Sequence, residues 1–203
     1  MGQGLRHGSL GPDCVHICVD MQRLFGPGYP WAVPWLDQIM PNVEAICGHN
    51  SARTIFTRFL PPANPDETIG AWRHYYRKWD CVTLDRIGAE AVHLLPELVR
   101  HTPPAKIIDK MVYSPWFDPA LDRLLARAKV NSILLTGGET DICVLATALG
   151  AIDRGFRVVM VRDALCSSSD RTHSELMDLY SSRFDTQIEV ADTEETLENW
   201  PKG

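Results

Sequence analysis

The sequence predicts an α/β protein built on a doubly wound, mainly parallel sheet with helices on both faces. Two observations carry this reading. Short β-branched, apolar runs alternate with patterns of helical spacing along the chain. The apolar runs also lack the in–out alternation of a one-sided sheet, so both their faces must be covered, as in parallel sheets flanked by helices. No repeat or low-complexity linker interrupts the pattern, and 203 residues suit one domain with a substantial core.

The elements follow in order. Residues 1–12 are Gly-rich and polar, lack the apolar stretch of a signal peptide, and are expected to form a flexible lead-in to a single domain over 13–203. Residues 14–19 read as a buried strand ending at Asp20. Pro41 to His49, with Val43, Ile46 and Cys47 on one face, reads as a helix with proline near its first turn. Arg53–Thr57 is the next strand, and a long, aromatic, Pro-rich stretch runs from Phe59 to Asp80. Ala105–Asp109 is a strand that stops at Lys110. Asp118 and Pro119 supply a cap and a first-turn proline for a helix carrying Leu121, Leu124, Leu125 and Ala128.

Ser132–Thr136 is an apolar strand, Gly137-Gly138 a turn, and Thr140 or Asp141 the expected cap of a helix reaching Arg154 and closed by Gly155. A strand at Val158–Val161, a helix from Asp170 to about Arg183 and a last strand around Thr186–Val190 complete the chain.

Composition narrows the function. A formal net charge of −6 disfavours nucleic acid and anionic membrane surfaces as partners. No apolar run approaches the roughly 20 residues that span a bilayer. A cytoplasmic protein is the expectation, with Cys14, Cys18, Cys47, Cys81 and Cys166 as reduced, mostly structural thiols. No Cys/His pairing with metal-ligand spacing stands out, and no metal or cofactor is expected.

Ligands of such sheets bind beyond the carboxyl ends of the strands, where Asp20, Lys110 and Cys143 fall. Singly, each has a plainer reading: a turn carboxylate, a solvated lysine, a small buried cysteine. Together they would supply nucleophile, acid/base and electrophile without a metal. Cys143 lies about one turn into a helix after a Gly-Gly turn, where free N–H groups and a cation lower a thiol's pKa from its usual value of about 8.5. The same N–H groups suit an oxyanion. Lys110 suits stabilisation of thiolate and intermediate, and Asp20 suits proton transfer from the thiol to a departing amine.

Val19-Asp-Met-Gln-Arg-Leu-Phe25, Lys110-Met-Val-Tyr-Ser-Pro-Trp-Phe117 and Gly137-Gly-Glu-Thr-Asp-Ile-Cys-Val144, followed by Asp163-Ala164, resemble the isochorismatase-like cysteine hydrolases over about residues 14–192. The resemblance implies a Rossmann-like three-layer fold and an Asp20–Lys110–Cys143 triad. It further implies a cis peptide before Glu139 and an oxyanion hole from the N–H groups of Glu139 and Cys143. A homodimer or homotetramer is implied as well. Relatives that hydrolyse a vinyl ether typically lack the cysteine, so its presence favours a small amide, ureide or carbamoyl substrate. Nicotinamidases of the family carry an Asp-x-His…His metal site after the second strand. Here that place reads Thr57-Arg-Phe-Leu-Pro-Pro62, which implies a metal-free amidohydrolase.

By the same resemblance Phe25 and Phe117 line the pocket, and Trp72, Trp79 and Trp116 are expected to join them, with Tyr75 and Tyr76 nearby. A loop pinned by core aromatics or by a subunit contact is the competing reading of that segment. Arg58, Arg73 and Arg77 suit a substrate carboxylate or, equally, the surface. Two other functions stay open: isochorismate-type vinyl-ether hydrolysis, and a non-catalytic ligand-binding or redox-sensing protein using the same thiol.

Overall fold

The computed structural model describes residues 4–203. A sheet of six strands forms its centre: β1 (Cys14–Val19), β2 (Thr54–Phe59), β3 (Lys106–Lys110), β4 (Ser132–Gly138), β5 (Arg157–Cys166) and β6 (Ile188–Ala191). All are parallel, in the order β3-β2-β1-β4-β5-β6. The chain winds outward from β1 to β3, then returns past β1 to start the other half at β4. That reversal makes the carboxyl ends of β1 and β4 the open crevice of the fold.

The helices are α1 (Leu36–His49), α2 (Gly70–Lys78), α3 (Leu84–Ile87), α4 (Pro96–Val99), α5 (Ala120–Arg127), α6 (Cys143–Asp153), α7 (Asp170–Ser182) and α8 (Thr193–Asn199). Successive residues of a strand point to opposite faces, and β1 shows the consequence. Cys14 and Cys18 pack with Val43, Ile46 and Cys47 of α1, whereas Val15, Ile17 and Val19 pack with Leu121 and Leu125 of α5 and Val144 and Ala148 of α6. Both faces are covered, as the uninterrupted apolar strands require. Among the described residues no helix is long and apolar enough to cross a membrane.

Several boundaries differ from expectation for physical reasons. Helix α1 starts at Leu36, placing Pro41 inside it. Proline there forfeits one helical hydrogen bond, at a cost of about 3 kcal/mol, but the earlier start buries Leu36 and Ile39 at about 1.5–3 kcal/mol each. Strand β5 runs on to Cys166, past the expected end, because its polar Asp163 is occupied: its Oδ1 accepts from the Thr193 N–H at 2.9 Å. Neither Thr140 nor Asp141 caps α6, which begins at Cys143 after Ile142. Both side chains are engaged elsewhere, Thr140 donating to the Cys166 carbonyl and Asp141 accepting from Ser167.

The lead-in also departs from expectation. Residues 1–3 lie outside the described residues, but Gly4 and Leu10 donate backbone hydrogen bonds to Val190 and Asn199, and Leu10 is buried. This segment lies against β6 and α8 and completes their edge.

Candidate active site

Each of Asp20, Lys110 and Cys143 is placed by the end of a strand. Asp20 follows β1, Lys110 is the last residue of β3, and Cys143 opens α6 after β4. Parallel register aligns these ends: Val19 pairs with Gly137, and Phe59 with Lys110. Gly137 adopts φ +98°, and a Cβ there would stand 2.1 Å from the Val19 carbonyl oxygen, so only glycine lets the turn come this close to β1. The Gly138–Glu139 peptide is cis.

The three side chains meet. Lys110 Nζ lies 2.6 Å from Asp20 Oδ2 and 3.4 Å from Cys143 Sγ, and donates to the Val112 carbonyl at 3.3 Å. Thr57, on the intervening strand β2, donates to Asp20 Oδ1 at 2.6 Å. Asp20 adopts φ +52°, a left-handed conformation that aspartate tolerates better than most residues, and its N–H is tied to Thr57 at 3.2 Å. Lys110 also stands 4.9 Å from the Phe59 ring centroid. Cys143 is the first residue of α6, so its N–H belongs to the set that helix geometry leaves without an intrahelical partner.

The thiol's protonation is not the one expected from sequence. Burial pushes the Cys143 thiol well above its ordinary range, the Asp20 carboxylate pushes the same way, and the Lys110 ammonium opposes them. The single cation does not outweigh that loss of solvent, and the balance favours the neutral thiol. For Lys110, burial alone would favour the neutral amine, but Asp20 and Cys143 reverse it and hold the ammonium.

Cys143 opens into a cavity of about 320 Å³. Its walls are largely aromatic: Phe25, Trp31, Phe59, Tyr75, Trp79 and Tyr113. Trp31 is the hub, stacked on Phe25 at 6.2 Å between ring centroids and meeting Phe59, Tyr75 and Trp79 at 6.0–6.1 Å. Phe25 and Trp79 thus stand where the sequence placed them. Trp72, Trp116 and Phe117 do not line the cavity. Trp72 packs behind it against Tyr75, Tyr76 and Tyr113. Trp116 is buried against α6, its Nε1 donating to the Thr147 carbonyl at 2.9 Å, and Phe117 is 83% exposed. Tryptophan and phenylalanine side by side point opposite ways, and only one meets the core.

Trp31 and Tyr113 went unrecognised in the sequence. Tyr113 lies in the segment Lys110–Phe117, and Trp31, in an irregular loop, has no periodic signal. The buried Gln22 side chain is engaged by backbone groups, its Oε1 accepting from the Phe59 N–H at 2.6 Å and its Nε2 donating to the Val92 carbonyl at 2.9 Å. Arg58 pairs with Asp109, Arg77 with Asp66, and Arg73 donates to the Thr68 carbonyl; none lines the cavity.

Among the described residues one cluster has metal-ligand chemistry: His16, Cys18 and Cys47, all buried, with donor atoms within 4.8 Å of one another. Sequence spacing could not reveal it, since Cys47 comes from α1 and the other two from β1. Both ring nitrogens of His16 already face hydroxyls, Nε2 at 2.7 Å from Thr136 and Nδ1 at 3.3 Å from Thr54.

Comparison with known proteins decides the lineage: the Isochorismatase domain family matches residues 14–194. The chain belongs to the isochorismatase family. An uncharacterized isochorismatase family protein of Bacillus subtilis (strain 168), PncA, is 30% identical over 134 residues, 65% of this chain and 64% of that protein. The match therefore spans just under two thirds of that relative's length. Nicotinamidase 3 of Arabidopsis thaliana is 26% identical over 165 residues, 80% of this chain and 78% of its own. A cysteine hydrolase from Pseudomonas syringae pv. phaseolicola 1448A has the same fold, with a TM-score of 0.79, 22% identity and coverage of 98% of both chains.

Proposed function

We propose that this family member is a cysteine amidohydrolase that cleaves the C–N bond of a small amide, ureide or carbamoyl compound without a metal ion. The observation that carries the reading is the contact of one buried lysine with both a carboxylate and a thiol at the mouth of an aromatic cavity. A relative named as a nicotinamidase supports amide hydrolysis. The metal-free reading rests on the residues after β2, where Thr57 holds Asp20, Arg58 pairs with Asp109 and Phe59 walls the cavity. Among the described residues no histidine lines the cavity.

In this reading the neutral thiol passes its proton to Asp20 as sulfur attacks the carbonyl carbon. The N–H groups of Glu139 and Cys143 hold the oxyanion, and Lys110 balances the negative charge now shared by the centre. The C–N bond breaks as Asp20 returns the proton to the leaving nitrogen. Water, deprotonated by Asp20, then hydrolyses the acyl-Cys143 thioester and frees the thiol.

The test is ammonia release across ureides, carbamoyl amino acids and aliphatic and aromatic amides, with intact-mass detection of an acyl adduct. Full activity of Cys143→Ala on a verified substrate would overturn the mechanism. Pyruvate release from an isochorismate-like compound would favour the vinyl-ether reading instead. Alkylation needs a control, because Cys81 is exposed and competes with Cys143 for iodoacetamide, so labelling belongs in a Cys81→Ser background. Assembly into a homodimer or homotetramer is part of the proposal, supported by exposed Ile69, Met111 and Phe117, and sedimentation velocity measures it.

A further inference from the structure

We infer that the cavity selects amides whose acyl part is flat and apolar and bears no carboxylate. The inference rests on the proposed hydrolysis for its reaction, but on the cavity's own chemistry for its selectivity. Among the described residues that line the cavity there is no lysine, arginine or histidine. Lys110, the cation beside the thiol, is already engaged by Asp20 at 2.6 Å and stands only 5% exposed. Lys78 lies 5.7 Å from the Trp79 ring centroid but is exposed on α2 and does not line the cavity. The arginines that looked suited to an anion are bound elsewhere, as described above.

The charge that does line the cavity is negative. Glu139 forms part of the wall, its Oε2 accepting from the Ser168 N–H at 2.6 Å, which fixes the carboxylate in place. A substrate carboxylate would leave water for aromatic walls, find no free cation and meet a carboxylate of like sign. Each of these disfavours binding, and no interaction compensates. Tyr75 and Tyr113 supply hydroxyls, and burial pushes both phenols up, so they stay neutral and offer hydrogen bonds without charge. What the walls offer in quantity is ring surface. Phe25 and Trp31, stacked with their planes 11° apart, give the wall flat ring surface that favours a planar guest.

The experiment uses a matched pair, 4-methylbenzamide and 4-carbamoylbenzoate, which differ by a methyl group against a carboxylate. With the intact protein, kcat/KM for the methyl compound should exceed that for the carboxylate by about 100-fold or more. Binding of both to Cys143→Ala, followed by tryptophan fluorescence since Trp31 and Trp79 wall the cavity, should show the same preference. Glu139→Gln should narrow the ratio by at least about 5-fold, and an unchanged ratio would overturn the part given to Glu139. Equal or better use of the carboxylate, or no binding of either compound, overturns the inference. Tight, selective binding of the methyl compound with no hydrolysis of any amide would instead overturn the proposed reaction while sustaining the cavity's selectivity.

Discussion

Strand β1 carries two buried polar groups: His16 with Cys18 in its middle, and Asp20 just beyond its end. Both contact a thiol from a following helix, Cys47 from α1 in one case and Cys143 from α6 in the other. They differ in charge and in access. Burial drives His16 down to about 3, so it is neutral, and its nitrogens face Thr54 and Thr136 inside the core. Asp20 is paired with a charged lysine, and its thiol partner opens on a cavity. Reactive residue types with similar burial thus become structure in one place and a candidate reaction centre in the other. The deciding factor is position along the strand: the middle is covered by helices on both faces, while the carboxyl end is left open where the winding reverses.

The sharpest break between the two groups is Cys143→Ala against Cys47→Ala. The first should lower turnover by about 10⁴-fold or more with the fold retained. The second should leave kcat within a few-fold and cost stability through a small core cavity. Equal losses of activity would erase the distinction.

Next in size is Lys110→Met. It strands the Asp20 carboxylate in a buried site, at an expected cost of about 3–5 kcal/mol in urea unfolding. Adding Asp20→Asn should recover part of that stability and none of the activity, because the charge to be neutralised is gone along with the proton acceptor. A double variant no more stable than Lys110→Met would mean that the pair is not coupled.

His16 yields the slower, pH-dependent signature. Its folded value of about 3 lies below the ordinary unfolded value of about 6.5, so the unfolded chain binds the extra proton between them. Stability is therefore full above about pH 6.5 and falls as pH drops towards about 3, by about 1.4 kcal/mol per pH unit from this residue. His16→Gln should flatten that slope between pH 6 and 5, whatever it does to stability at pH 7. Identical slopes in the two proteins would show that His16 does not carry it.

The smallest effect on turnover concerns two tryptophans, one inside the core and one in the cavity wall. Trp116→Ala should destabilise by about 3–5 kcal/mol through the space it leaves against Gly150 and Phe156, and shift kcat/KM only slightly once folded protein is counted. Trp31→Ala should do the reverse, raising KM for an aromatic amide more than it lowers stability, because it removes the hub of the cavity wall. A larger KM effect from Trp116 would place the substrate elsewhere.

Much of this molecule is legible in its sequence. Local periodicity and turn chemistry determined the alternation of strands and helices, and the ends of those strands put Asp20, Lys110 and Cys143 forward. These are short-range properties, expressed in residues adjacent along the chain. Tertiary structure alone decided the rest. It set the strand order that aligns Val19 with Gly137 and Phe59 with Lys110, and it brought Trp31 and Tyr113 into the cavity wall while turning Phe117 out to solvent. It also reversed the expected state of the Cys143 thiol. The physical reason is common to all three: burial and proximity depend on everything packed around a side chain, and residues distant in sequence supply most of that surrounding.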